Sequence, residues 1–226
     1  MKQTISSVAV LVALSTMSYG TTIWHEGDGG QGDAGSLPGT ANITAGSGGP
    51  LTDIIGSLNS QNTGSDMYEI MITSPTAFSA TVTGNGNNPI VNSALYLFDS
   101  TGTGLFGNDN ISATNSLSSL PVGTTSLLSP GLYYILLTVS GRLPAHGATD
   151  LFGDLTNTTT VAAASSVLKI NGYNTSGTTP NPVDSGKGYD IVLTGASFAE
   201  TPEPASIALI GSGLLLLGAW KRLRIN

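Results

Sequence analysis

The chain has 226 residues, of which only 9% are charged, and it contains 30 glycines, no cysteine and a formal net charge of -7. The absence of cysteine excludes disulfides, thiol nucleophiles and thiolate metal sites. Most basic residues lie in the terminal segments, which leaves only Arg142, Lys169 and Lys187 in the body of the chain. A body with so few cations cannot neutralise many phosphates, so we expect no nucleic-acid partner.

Residues 1–20 have the three parts of a secretory signal peptide. Lys2 supplies the positive n-region, residues 8–14 (VAVLVAL) form the apolar h-region, and Ser18-Tyr19-Gly20 is a small-x-small cleavage site. Cleavage after Gly20 would leave Thr21 as the new N-terminus. The segment therefore predicts an N-terminal signal helix, its removal by signal peptidase and export of the rest of the chain.

Residues 21–65 form a lead-in that is rich in Gly, Ser, Asn and Asp, with scattered apolar residues such as Trp24, Ile43 and Ile54. Small and polar residues of this kind favour turns. We therefore expect an irregular segment that contains one or two short strands.

Short stretches with a period of two dominate residues 66–200, which we expect to form one domain. In residues 78–83 (FSATVT) apolar residues alternate with Ser and Thr, which predicts a sheet with one solvent-facing side. Residues 132–139 (LYYILLTV) are apolar on both faces, which predicts a central strand. The other predicted strands are 67–73, 95–99, 161–170 and 189–194. Such a pattern, with almost no helical period, predicts an all-β fold, an antiparallel jelly-roll-like β-sandwich.

The order of motifs in this domain resembles that of bacterial pre-peptidase C-terminal domains, over roughly residues 65–195. The motifs that carry the resemblance are Asp66-Met67-Tyr68, Phe78-Ser79-Ala80-Thr81, Leu95-Tyr96-Leu97-Phe98-Asp99, Ser129-Pro130-Gly131-Leu132-Tyr133-Tyr134-Ile135 and Gly188-Tyr189-Asp190. The resemblance implies a compact β-sandwich with a binding or structural role, and it brings no catalytic residues. An insertion between Ser140 and Thr160 departs from the family pattern.

The C-terminal segment, residues 201–226, combines Pro202-Glu203-Pro204, an apolar run at 205–220 and a basic end. As a helix that run would be roughly 24 Å long, slightly short of the hydrocarbon core of a bilayer. The basic residues at its end would stay in the cytoplasm and the body of the chain outside; they are Lys221, Arg222 and Arg224. The run therefore predicts a single transmembrane helix whose topology agrees with the signal peptide.

This arrangement of motif, apolar helix and short basic end resembles the PEP-CTERM sorting signal. The two prolines disfavour helix and keep Glu203 in an accessible, extended segment outside the bilayer. The resemblance implies recognition and cleavage at Pro202-Glu203-Pro204 by an exosortase, a membrane-embedded protease. Thr201 stands where Val is commoner in the family.

Catalytic motifs are absent from the sequence. A general base at neutral pH would have to be His25, His146 or a perturbed carboxylate, and neither histidine lies near a Ser or Cys nucleophile motif. There is no Gly-x-Ser-x-Gly elbow, Walker loop or zinc spacing. We therefore expect a protein that is not an enzyme and has no cofactor.

Calcium is the alternative that the acidic loops leave open, because hard cations take oxygen ligands. Asp28 and Asp33 lie in a Gly-rich loop, and Asp99 and the trio Asn108-Asp109-Asn110 flank a turn. The spacing is not that of an EF-hand or a nonapeptide repeat. Asp and Asn also fit turns without any ion, because they accept backbone hydrogen bonds there.

The sequence thus predicts an exported, non-enzymatic protein that is transiently anchored in the inner membrane and then reaches the outer surface or the extracellular matrix. A first alternative is a carbohydrate- or exopolysaccharide-binding module, which predicts Trp24, Tyr96 or Tyr134 on one solvent-facing side. A second alternative is a hydrolase with a hidden carboxylate site.

Overall fold

The computed structural model describes residues 22–46, 49–58, 64–176 and 186–199. The predicted signal peptide, the Pro-Glu-Pro motif, the helix at 205–220 and the basic end lie outside the described residues. Within the described ranges, none of the helices has the length and apolar character needed to cross a membrane.

Strands account for most of the regular structure in the described ranges, and two single 3₁₀ turns precede β2. The strands are β1 (Ile23–His25), β2 (Asn42–Ile43), β3 (Asp53–Ser57), β4 (Ser65–Ile72), β5 (Ser79–Gly84), β6 (Ser93–Asp99), β7 (Gly104–Asn108), β8 (Ser119–Leu120), β9 (Gly131–Val139), β10 (Arg142–His146), β11 (Thr149–Asp150), β12 (Ala162–Ala163), β13 (Gly172–Thr175), β14 (Gly188–Thr194) and β15 (Ala196–Phe198).

Two large sheets form the body of the molecule, which confirms the prediction of an all-β sandwich. The five-stranded sheet has the order β1-β3-β14-β5-β8, and the larger sheet has the order β12-β7-β6-β9-β4-β15, with β2 beside β4. A third, three-stranded sheet has the order β11-β10-β13. The pairs β1–β3 and β2–β4 are parallel, so the sheets are mixed rather than purely antiparallel.

The main core lies between the two large sheets and follows the predicted alternation. On β4 the side chains of Tyr68, Ile70 and Ile72 are fully buried, and β5 opposes them with Ala80 and Val82. Each fully buried Ile or Val stabilises the fold by about 1.5–3 kcal/mol relative to an exposed position. The period of two therefore predicted the face of these strands that packs in the core.

A second core on the other face of the larger sheet explains why β9 is apolar on both sides. Tyr96 and Phe98 on β6 contact Phe152 there, at ring-centroid distances of 5.0 and 5.8 Å. Leu136 of β9 and Leu155 pack in the same cluster. The segment between Ser140 and Thr160, which departs from the family pattern, supplies β10, β11 and much of this cover.

The prediction of a strand over 161–170 is wrong for most of its length, since only Ala162–Ala163 forms a strand, paired with β7, and Lys169 adds an isolated bridge to Thr103. Val167 is 88% exposed, and the Leu168 amide donates to the Ser166 hydroxyl, which turns the chain away from the sheet.

The lead-in, residues 21–65, supplies β1, β2 and β3. Because these strands pair with β4 and β14, the segment 21–65 is built into both large sheets.

Candidate functional site

A glycine-rich loop of the lead-in brings two acidic residues side by side. Gly27 and Gly32 have φ angles of 85° and 75° and form an antiparallel bridge, so the chain reverses between them. Left-handed backbone of this kind favours glycine. In antiparallel pairing the residues flanking a bridge are also neighbours across it, which places Glu26 opposite Asp33.

The Glu26 carboxylate is fixed by backbone amides from two directions. Its Oε1 accepts a hydrogen bond from the Ala34 amide at 3.0 Å, and its Oε2 accepts one from the Ser57 amide, at the end of β3, at 2.9 Å. Glu26 is half-buried, and each oxygen keeps a lone pair for a further partner. The carboxylate therefore joins the loop to the five-stranded sheet.

Asp66 approaches the same place from the larger sheet. It lies on β4 two residues before Tyr68, so its side chain points into the space between the sheets, and it is fully buried. The Tyr189 hydroxyl donates to Asp66 Oδ2 at 2.7 Å, and the Tyr68 and Tyr189 hydroxyl oxygens are 2.5 Å apart. Asp66 Oδ1 is buried and has no hydrogen-bond partner.

Glu26, Asp33 and Asp66, which we call the carboxylate cluster, each place an oxygen within 4.8 Å of the others. Asp33 is exposed, so the cluster is open to solvent on one side. Burial, followed by the charges of Glu26 and Asp33, raises the pKa of Asp66 well above its usual range. Burial also raises the pKa of Glu26, and the Asp33 charge and a carboxyl–carboxyl hydrogen bond add to it.

Gly56 on β3 leaves the space that the tyrosine pair occupies. A Cβ at this position would overlap the Tyr189 hydroxyl and lie 2.7 Å from Cζ of Tyr189 and 2.9 Å from the Tyr68 hydroxyl. Those distances are shorter than van der Waals contact. A glycine is therefore needed here for Tyr189 to reach Asp66.

Of the acidic loop residues that the sequence left open as calcium ligands, only Asp33 belongs to the carboxylate cluster. Asp28 lies in the same loop, but its Oδ2 accepts the His25 amide at 2.8 Å and is 3.7 Å from His25 Nδ1. Asp99 accepts hydrogen bonds from the Thr101 and Thr103 amides and closes a turn.

Two members of the trio Asn108-Asp109-Asn110, Asn108 and Asp109, accept hydrogen bonds from other parts of the fold. Asn108 Oδ1 accepts the Ser119 amide at 3.1 Å. Asp109 accepts the Ser140 hydroxyl at 2.6 Å and the Asn157 amide at 3.1 Å, which occupies both carboxylate oxygens. Asp109 therefore acts as a hydrogen-bond acceptor that joins three segments of the chain.

The sequence interpretation missed Glu26 and Asp66. Asp66 has the same parity as Tyr68 and Ile70, so the alternation on β4 already placed an acid on the buried face. Glu26 and Asp33 flank Gly27 and Gly32 symmetrically, which is the spacing of a closed loop. The parity of Asp66 does not identify Glu26 and Asp33 as its neighbours, and the spacing of the loop does not identify Asp66.

The carbohydrate-binding alternative predicts exposed aromatic side chains, and this prediction is wrong for Trp24 and Tyr96. Trp24 is only 2% exposed and packs in the core between the sheets, and Tyr96 is 1% exposed and packs against Phe152. Tyr134 is half-buried on β9. Trp24 and Tyr96 therefore cannot form a polysaccharide-binding platform.

Both histidines are exposed. His146 Nδ1 lies 2.7 Å from the Lys169 carbonyl oxygen, and His25 lies beside Asp28. A carbonyl only accepts hydrogen bonds, so Nδ1 of His146 carries a proton.

Comparisons with protein-family models, curated proteins and solved structures found no match to this chain.

Proposed function

We propose that this chain is an exported, non-enzymatic protein of the cell surface or extracellular matrix, sorted and cleaved at Pro202-Glu203-Pro204. The observation that carries the proposal is the agreement of the two ends of the sequence. The signal peptide at 1–20 directs the body outward, and Lys221 and Arg222 after the apolar run at 205–220 predict the same orientation. Signal peptidase and an exosortase-type protease are the proposed processing partners.

The all-β body suits a structural or binding module. We infer a jelly-roll type of sandwich, because the chain passes repeatedly between the two large sheets: β4 to β5, β5 to β6 and β7 to β8. Such crossings tie the sheets together without disulfides. A domain of this size buries enough apolar surface to be stable without them.

Mass spectrometry of the mature protein from its native host tests the proposal. We expect an N-terminus at Thr21 and a C-terminus near Thr201. Glu203→Gln should keep the tail and remain in the membrane fraction, because it removes the acid of the recognised motif. Glu200→Gln is the matched control, an acid just outside the motif, and should be processed normally. A wild-type protein that ends at Asn226, or a Glu203→Gln variant cleaved like wild type, would overturn the proposal.

A further inference from the structure

We propose that Glu26, Asp33 and Asp66 bind a calcium ion that fastens the loop of the lead-in to β4. This site does not depend on the sorting proposal, since it is formed by the folded body alone. It differs from the alternative that the sequence left open, which named Asp28 and Asp33 in the same loop.

The negative charge of the carboxylate cluster favours a bound cation. Three carboxylates with oxygens within 4.8 Å of one another repel each other strongly unless a cation or a proton lies between them. Glu26 and Asp33 are also directly opposite across the Gly27–Gly32 bridge, and like charges in that position destabilise a pair of strands. The fold nevertheless holds Glu26 in place with two backbone amides.

The Asp66 side chain has an oxygen without a hydrogen-bond partner, which also favours a cation. Buried polar atoms are almost always satisfied, and a buried carboxylate oxygen without a donor is costly. Tyr189 satisfies Oδ2, while Oδ1 has no partner although the residue is fully buried. A cation next to Glu26 and Asp33 would satisfy this oxygen and balance the local negative charge.

The size of the carboxylate cluster is compatible with calcium. Calcium binds oxygen at 2.3–2.6 Å, so two of its ligands lie at most about 5 Å apart, and the oxygens of the cluster lie within 4.8 Å of one another. Calcium also accepts flexible coordination by carboxylates and water, whereas magnesium demands near-ideal octahedral geometry. Because Asp33 is exposed, water molecules can reach the ion and complete its six to eight ligands.

The ion would join the loop of the lead-in to β4, and through Glu26 also to the end of β3. Glu26 is hydrogen-bonded to Ser57 at the end of β3, and the Met67 amide of β4 donates to the Gly35 carbonyl at 2.9 Å. The loop therefore already touches both large sheets beside the carboxylate cluster. A bound cation would add a charged link at this junction, so calcium should stabilise the whole sandwich.

The test uses the purified full chain in mild detergent, first treated with a chelator and then titrated with calcium chloride. At about 100 times Kd we expect the Tm to rise by about 5–10 °C, and magnesium chloride should give a smaller shift. Calorimetric titration should find one calcium ion per chain. No change in Tm and no heat of binding at up to about 20 mM calcium would overturn the proposal.

Two acids of the same loop provide matched variants. Asp33→Asn should weaken calcium binding by at least about tenfold, because it removes one of three charged ligands. Asp28→Asn should bind calcium like wild type, since Asp28 lies outside the carboxylate cluster. Asp33 is exposed and the side chain of Asp28 is 45% exposed, so neither change should prevent folding. Equal calcium affinity in the two variants would overturn the assignment of the site.

Terbium luminescence gives an independent measurement of where the ion binds. The ion occupies calcium sites, and its emission is sensitised by nearby aromatic rings. Tyr189 donates to Asp66, so excitation of the tyrosines should produce terbium emission that calcium displaces. Loss of this emission in Asp33→Asn, but not in Asp28→Asn, would support the site, and its persistence in both would contradict it.

Discussion

Two regions of the molecule hold buried carboxylates, and they differ in how those carboxylates are satisfied. At Asp109 the Ser140 hydroxyl and the Asn157 amide occupy both oxygens. At Asp66 only one oxygen has a donor, and the other groups nearby are acids. Burial raises the pKa of both residues. The direction of the pKa shift is therefore the same for Asp109, which only accepts internal hydrogen bonds, and for Asp66, which we propose as a ligand. The hydrogen-bond donors around each carboxylate distinguish the two.

Gly56→Ala should have the largest effect, because its Cβ would displace Tyr189 and separate Asp66 from its donor. We expect the free energy of unfolding to fall by about 2–4 kcal/mol, from steric strain and the lost hydrogen bond together. Urea unfolding of both proteins measures the difference. Gly172→Ala on β13 is the control, since a Cβ there meets nothing within 4 Å. Equal stability of the two variants would show that the tyrosine pair does not depend on Gly56.

Asp109→Asn should lower the free energy of unfolding by about 1–3 kcal/mol. The amide group can accept through one oxygen only, so either Ser140 or the Asn157 amide loses its acceptor. Chemical denaturation at pH 7 measures the loss. An unchanged free energy of unfolding would mean that Ser140 or the Asn157 amide donates to water instead.

Asp66→Asn, unlike Asp109→Asn, should not lower the free energy of unfolding when calcium is removed by a chelator. The amide oxygen still accepts from Tyr189, and the NH₂ group replaces an oxygen that has no donor. We expect the chelated variant to be as stable as wild type or up to about 1 kcal/mol more stable. Saturating calcium should reverse the order, since only the wild type has the full set of ligands. If Asp66→Asn in the presence of chelator lost as much stability as Asp109→Asn, the proposed difference between the two carboxylates would be wrong.

Asp99→Asn should have the smallest effect and a defined pH dependence. Burial alone would raise the pKa of Asp99, but amides and hydroxyls of Thr101 and Thr103 donate to it and lower the pKa below its usual value. A lowered pKa means that the carboxylate stabilises the fold above its unfolded pKa, and that this stabilisation is lost as pH falls through the folded value. The variant should therefore be less stable than wild type by under about 1 kcal/mol at pH 7, and the difference should shrink as pH falls below the ordinary Asp pKa of about 3.9. A difference that grew on acidification would contradict the assigned direction.

Local pattern predicted the five longest strands, because apolar and polar residues alternate along a half-buried strand. The stretches 67–73, 78–83, 95–99, 132–139 and 189–194 correspond to β4, β5, β6, β9 and β14. The same reasoning failed at 161–170, whose apolar residues lie along an edge where only two of them pair. Local pattern also left the burial of Trp24 undecided, since a lone tryptophan in a Gly-rich segment carries no periodicity that reveals burial.

The sequence alone determined the all-β class, the buried face of β4 and the presence of an acid on that face, because side-chain direction in a strand depends only on residue parity. Tertiary structure decided which groups meet that acid. Glu26 and Asp33 reach Asp66 through the pairing of β1 with β3 and the packing of two sheets, and such pairings between distant segments leave no local pattern in the chain.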